Sequence, residues 1–283
     1  MLLLRLGAGV ILAYAALLLA GWLLQDRLAF PAPRAEVPDP RALGIPDGER
    51  IALSLDDGTR LAGWYLPPRG AGPGARPRAP APALLWFYGN GETIASIGRI
   101  VRDFQPPGAA LLVVDYPGYG GSAGRATEAA LYAAADAAYA ALVERPEVDA
   151  RRVYLYGRSL GSAVATHAAA RHPAAGLILE SPFTSARDMA RLHYAIFPRF
   201  VLRIQLDNLA TLRAVRCPVL IFHGTADRLV PLDMARRLAA AASGPVRLER
   251  IPGAGHNDTF EVGGEAYRER LAAFVLNADV RSP

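Results

Sequence analysis

The stretch Gly157-Arg158-Ser159-Leu160-Gly161 constrains this chain more than any other. An apolar run of β type, Val153-Tyr154-Leu155-Tyr156, leads into it. A helix-type run, residues 162–171, leads out. A G-x-S-x-G pentapeptide at a strand-to-helix turn forces its serine into strained backbone angles. It tolerates no bulk where strand and helix approach, so both flanking positions are glycine. The turn lifts the Ser159 hydroxyl clear of the sheet edge. The helix N-terminus behind it favours developing negative charge. The pentapeptide alone is also compatible with a plain glycine-rich loop carrying a solvated serine.

The surrounding pattern predicts an α/β domain. Residues 83–88, 110–114, 176–180 and 219–223 are short, nearly unbroken apolar runs, as strands buried on both faces should be. Helix-type stretches fall between them, near residues 92–103, 127–143 and 232–242, and a last helix is expected over 261–276. This alternation implies a mostly parallel sheet covered on both faces, with ligands bound at the strand carboxyl ends. Ahead of it, residues 51–55 and 61–66 flank Asp57-Gly58 and read as a β-hairpin. Residues 67–82, rich in proline and glycine, read as a surface loop.

The formal charge of +5 does not signal nucleic acid. Every cation is arginine, the arginines are scattered, and no basic stripe is interleaved with aromatics. The single cysteine, Cys217, excludes an internal disulfide and reads as a packed residue ahead of a strand. No metal and no organic cofactor are implied.

At the N-terminus, residues 6–24 carry no charge. As a helix they would rise about 28 Å, close to the ~30 Å hydrocarbon core of a bilayer. The run exceeds a signal peptide's apolar region, and Trp22-Leu23-Leu24 occupies the place where a cleavage site would need small residues. The expectation is a single-pass anchor over residues 1–27, then a proline-rich linker over 28–49 acting as a spacer, then a folded domain over 50–283. The flanking arginines do not orient the anchor, so the side of the membrane that the domain faces stays open.

Serine chemistry needs a base, an acid to orient it and donors for an oxyanion. Of the five histidines, His167 and His172 belong to the helix after Ser159, His193 lies between strands, and His223 ends a strand in a structural setting. His256 differs. It lies in Gly253-Ala254-Gly255-His256-Asn257-Asp258, just past the last strand, and is the expected base. Asp227, in the loop after residues 219–223, is the expected acid. Glu180, ending the preceding strand, competes with it, and Asp233 reads as a helix-start residue.

With Ser159, Asp227 and His256 in that order, residues 51–276 resemble an α/β-hydrolase. The motifs that carry the likeness are Gly157 to Gly161, Asp115 to Ser122, His223 to Pro231 and Gly253 to Asp258. Leu206-Asp207-Asn208-Leu209 and the segment 215–221 are similar to the small-lidded branch described as serine-aminopeptidase-like or lysophospholipase-like, which includes membrane-anchored members and protein depalmitoylases. The resemblance implies an α/β-hydrolase fold with a small helical lid. It implies Ser159 as nucleophile, Asp227 as acid and His256 as base, with the backbone N–H groups of Asn90 and Leu160 as oxyanion donors. Where the family has His-Gly-Asn, this chain has Tyr88-Gly89-Asn90, which puts an aromatic at the expected pocket rim. Asp115 and Asp207 are expected to serve turns.

The lid is expected near residues 183–215. Leu192, Tyr194, Ile196, Phe197, Phe200, Val201, Leu202 and Ile204 crowd it. Some should pack the core, and the rest, Phe197 among them, should line an acyl pocket. The expected activity is hydrolysis of a carboxylic ester or thioester, with a small-molecule or lipid-like acyl substrate. Amide cleavage, acyl transfer, a catalytically silent scaffold, and an interaction protein docking through the loop at 67–82 are the rival readings.

Overall fold

The structure, a computed structural model, describes residues 1–69 and 79–276, so most of the expected proline-glycine loop lies outside the described residues. The chain begins with a long helix, α1 (Leu2–Ala29). An eight-stranded sheet follows, made of β1 (Glu49–Ser54), β2 (Arg60–Leu66), β3 (Ala81–Phe87), β4 (Ala110–Val114), β5 (Val148–Arg158), β6 (Gly176–Glu180), β7 (Val219–Gly224) and β8 (Val246–Ile251). Its order is β1-β2-β4-β3-β5-β6-β7-β8. The first three strands in that order pair antiparallel and the rest parallel.

Composition explains this arrangement. In β3, β4 and β6 every residue is buried, which only strands covered on both faces require. Edge strand β1 alternates between exposed and half-buried positions. One face of the sheet carries α2 (Ile94–Phe104) and α8 (Thr259–Leu276), which meet through stacked Phe104 and Phe260 rings with centroids 4.1 Å apart. The other carries α3 (Glu128–Val143), α4 (Leu160–Arg171), α6 (Asn208–Leu212) and α7 (Leu232–Ala241), packed in series. Thr93 and Thr127 cap α2 and α3 by accepting from Ser96 N and Ala130 N, so two helix starts are set by local chemistry.

The proline-rich stretch after α1 is not a loose spacer. Phe30, Val37, Pro40 and Ile45 are buried, and the Trp64 indole donates to Pro38 O at 3.0 Å. Proline has no amide proton and hides any periodicity, so this packing left no pattern to read.

The lid comprises α5 (Ala186–His193), a single 3-10 turn at Arg199–Val201, and α6. Its return limb is tied down. Gln205 N and Leu206 N donate to the Glu128 carboxylate at 2.8 and 2.9 Å, and Asn208 Nδ2 donates to Ser162 Oγ at 2.8 Å. Its tip lies along α1. The Tyr14 hydroxyl donates to Ile196 O at 2.8 Å, and the Phe197 ring covers Gly21 so closely that a Cβ there would come within 2.6 Å of it. Gln25, only 7% exposed, accepts from Arg203 N at 2.7 Å and Ile204 N at 3.2 Å and donates to Val201 O at 3.2 Å. Tyr14, Gly21 and Gln25 recur at helical spacing, so one face of α1 carries all three contacts.

Candidate active site

The site sits where the parallel strands end. Ser159 joins β5 to α4 with φ 49° and ψ −113°, a left-handed conformation that costs a non-glycine residue ~1–3 kcal/mol. The flanking glycines are sterically required. A Cβ on Gly157 would lie 2.2 Å from Gly161 O, and one on Gly161 would lie 2.0 Å from Phe87 O. Ser159 N donates to Glu180 O at 2.9 Å, which fixes the turn against β6.

His256 lies in the loop between β8 and α8. Its Nε2 is 2.9 Å from Ser159 Oγ and its Nδ1 is 2.8 Å from Asp227 Oδ2. Asp227 follows β7, and its other oxygen accepts from Leu229 N and Val230 N at 2.9 and 2.8 Å. With Asp227 as acceptor, the imidazole carries its proton on Nδ1, leaving Nε2 to accept from the serine hydroxyl. Burial pulls the Asp227 carboxyl upward. The hydrogen bonds from the His256 ring and Val230 N–H outweigh it and hold the acid below its usual 3.8. His223 Nε2 donates to Val230 O at 2.9 Å, and burial keeps this ring below its usual 6.5, hence neutral at pH 7. It braces the loop that carries Asp227.

The loop after β3 comes alongside. A Cβ on Gly89 would lie 3.7 Å from Ser159 Cβ, an ordinary contact. Among the described residues, the main-chain N–H groups of Asn90 and Leu160 donate to no protein acceptor. The Asn90 side chain is held on both sides. It accepts from the Tyr119 hydroxyl at 2.7 Å and donates to Ala29 O, at the end of α1, at 2.7 Å.

Several expectations need correction. Tyr88, expected at a pocket rim, is fully buried. Its phenol donates to Asp115 Oδ1 at 2.9 Å and accepts from Tyr116 N at 3.1 Å, and burial drives its ionisation far above the usual range. Phe197, expected in an acyl pocket, lays its ring on α1 instead. Leu192, Tyr194, Ile196 and Phe200 are solvent-exposed. A small cleft of about 150 Å³ between β8 and α8 contains neither Ser159 nor His256.

Glu180, the competing acid, points elsewhere. It accepts from Tyr156, Thr259 and Tyr267, and the Arg158 guanidinium lies 3.6 Å from it. Arg158 also pairs with Glu92 and donates to Asn257 Oδ1 at 3.0 Å, while Glu92 accepts from Gly89 N at 2.6 Å. One buried guanidinium therefore ties together the Gly89 loop, the end of β6 and the residue after His256. Burial disfavours its charge, but Glu180 and Glu92 more than compensate and raise its ionisation further. Residue-by-residue inspection missed this network; its one signal was a charged residue between Gly157 and Ser159.

Asp115 and Asp207 serve turns. Asp115 accepts from Ile94 N and Gly121 N, and Asp207 caps α6 by accepting from Ala210 N. His167 stacks on Tyr132 and His172 lies 2.7 Å from Asp136, both outside the site. Burial pushes the Cys217 thiol up to about 11, so it is an unreactive packed residue.

The chain is similar to known proteins in sequence and in fold. A family model described as serine aminopeptidase, S33, matches residues 78–212. An uncharacterized protein of Mycobacterium tuberculosis is 34% identical over 260 residues, covering 92% of this chain and 90% of the relative. The chain belongs to the α/β-hydrolase superfamily, in its serine-aminopeptidase-like branch. Human alpha/beta hydrolase domain-containing protein 17B is 38% identical over 164 residues, which is 57% of this chain and 54% of that protein. Among solved structures, an esterase of Pyrococcus furiosus superposes with a TM-score of 0.65 at 17% identity, over 86% of this chain and 95% of that one. An α/β-hydrolase of Vibrio vulnificus gives 0.66 at 20% identity, over 83% of each. The family match and the human relative support a hydrolase.

Proposed function

We propose that this α/β-hydrolase is a membrane-anchored serine hydrolase that cleaves a carboxylic ester or thioester of a small-molecule or lipid-like acyl substrate. The observation that carries the reading is the unbroken hydrogen-bonded series from Ser159 Oγ through His256 to Asp227, mounted on a strained turn. Ser159 Oγ attacks the acyl carbon while its proton passes to His256 Nε2. The negative carbonyl oxygen is stabilised by the N–H groups of Asn90 and Leu160, at the start of α4. Asp227 keeps the Nδ1 proton in place and stabilises the imidazolium. Collapse releases the alcohol or thiol, protonated by His256, and leaves an acyl-enzyme. Water, deprotonated by the same ring, then releases the acid and restores the hydroxyl.

The anchor part of the reading rests on α1. Residues Leu3–Ala29 form a helix long and apolar enough to cross a membrane. In this reading residues 1–27 anchor the chain, 28–49 connect, and 50–283 form the catalytic domain with its lid at about 183–215.

A fluorophosphonate probe tests the enzymatic claim. It should label the wild-type protein at Ser159, and Ser159→Ala should lose all labelling. A folded protein that never labels would defeat the proposal. A panel of acyl esters, thioesters and anilides then sorts the bond cleaved.

A further inference from the structure

The contacts between α1 and the lid impose a condition on membrane insertion. Residues 3–13 of α1 are exposed, and the first hydrogen bond to the lid comes at Tyr14. From Leu6, the first residue past Arg5, to Ala13 the helix rises about 12 Å. A hydrocarbon core of ~30 Å needs about 18 Å more, which runs to about the end of the uncharged stretch at Leu24. Residues 14–24 fill that stretch, and Tyr14 and Gly21 among them meet Ile196 and Phe197. A helix that spans the bilayer therefore takes the lid tip in with it.

The tip is built for that setting. Tyr194 is 62% exposed, Ile196 56% and Phe200 81%, which is unfavourable in water and favourable at a lipid boundary. Arg191 and Arg199 flank these residues, while the Arg203 guanidinium lies 3.5 Å from Asp26 and covers the Trp22 ring at 4.9 Å, joining the lid to α1. Aromatic and aliphatic side chains bordered by arginines match the headgroup–acyl boundary of an anionic leaflet. The backbone also conforms. The N–H groups of Tyr194, Phe197, Val201 and Leu202 are paired within the lid, Pro198 has none, and Ile196 O is taken by Tyr14. The N–H groups of Ala195, Ile196, Arg199 and Phe200 make no hydrogen bond among the described residues, so the tip belongs at the level where headgroups and water reach them.

We infer that the lid tip, residues 192–200, is a membrane-docking surface whose partner is one anionic leaflet of the bilayer, and that it places the Ser159 site to receive acyl chains from that leaflet. The inference rests on the proposed anchoring by α1.

Site-directed spin labelling of the full chain tests it, in phosphatidylcholine vesicles containing phosphatidylglycerol and in a Cys217→Ala background. Labels are placed at Leu12→Cys in α1, Ile196→Cys and Phe200→Cys in the lid, and Arg151→Cys at the opposite end of β5. Collisions with oxygen should exceed those with a water-soluble nickel chelate at Leu12, Ile196 and Phe200, and the order should reverse at Arg151. Lid labels that behave like Arg151 while Leu12 remains in lipid overturn the lid inference and leave the anchor intact. Water at Leu12 as well overturns both. As a second measurement, Ile196→Asp combined with Phe200→Asp should cut kcat/KM on a long-chain ester held in vesicles about tenfold, the equivalent of losing the burial of one large apolar side chain. Turnover of a soluble acetyl ester should not change. Equal loss on both esters, or on neither, counts against the inference, and the labels report whether or not either ester is cleaved.

Discussion

The carboxyl edge of the sheet and the lid beside it are held by opposite means. At the sheet edge, charge is buried and fully engaged: Arg158 joins Glu92, Glu180 and Asn257, and Glu180 takes three hydroxyl donors. At the lid tip, apolar side chains face outward and the attachments are a few hydrogen bonds to α1. The first region resists movement because breaking any pair strands an ion in a dry interior. The second has little burial of its own and is expected to open locally at small cost. A rigid sheet edge carrying Ser159 therefore stands beside a lid whose order depends on α1.

The largest effect should come from Ser159→Ala. Ester turnover should fall by about 10⁴-fold or more, with the melting temperature little changed, because the elbow's backbone is held by glycines and not by the hydroxyl. A steady-state assay paired with thermal denaturation checks both halves. Next comes Arg158→Met. Removing one member of a buried ionic group costs about 3–5 kcal/mol. For a domain of this size that lowers the melting temperature by roughly 8–15 °C. The loss should appear globally, across all strands, in hydrogen exchange.

Gln25→Leu should be smaller and local. Leaving Arg203 N and Ile204 N unpaired costs about 1–3 kcal/mol, confined to the lid. Exchange should accelerate at residues 201–204 while β5 and β6 keep their protection. Equal acceleration in the strands would erase the contrast between the two regions.

The smallest effect concerns pH. His223 is held below 6.5 in the folded chain by burial, so the unfolded chain binds its proton first. The stability it contributes is complete above about 6.5 and is lost as pH falls through the lower, folded value. His223→Gln should flatten the decline in melting temperature between pH 7 and pH 5 by a few degrees, read by scanning calorimetry.

These contrasts also explain what could be read from the residues. The elbow was legible because steric exclusion at Gly157 and Gly161 leaves no other residue type. The unbroken apolar runs of β3, β4 and β6 were legible because burial on both faces demands them. The Arg158 network was not, since its members come from separate segments and each alone reads as an ordinary charge. The lid aromatics read as core or pocket because hydropathy says a side chain avoids water and does not say which apolar phase receives it. The docking face of α1 had a faint trace. Tyr14, Gly21 and Gln25 share one helical stripe, and Gln25 ends the uncharged run.

Gln25 also sets an order of events. Its amide meets Arg203 N, a partner 178 positions later in the chain. At ~5–20 residues per second of synthesis, that partner emerges roughly 10–35 s after the glutamine does. The helix is therefore complete throughout that interval. The sheet domain then closes onto a post already made, so its final shape waits on contact with a segment synthesised long before.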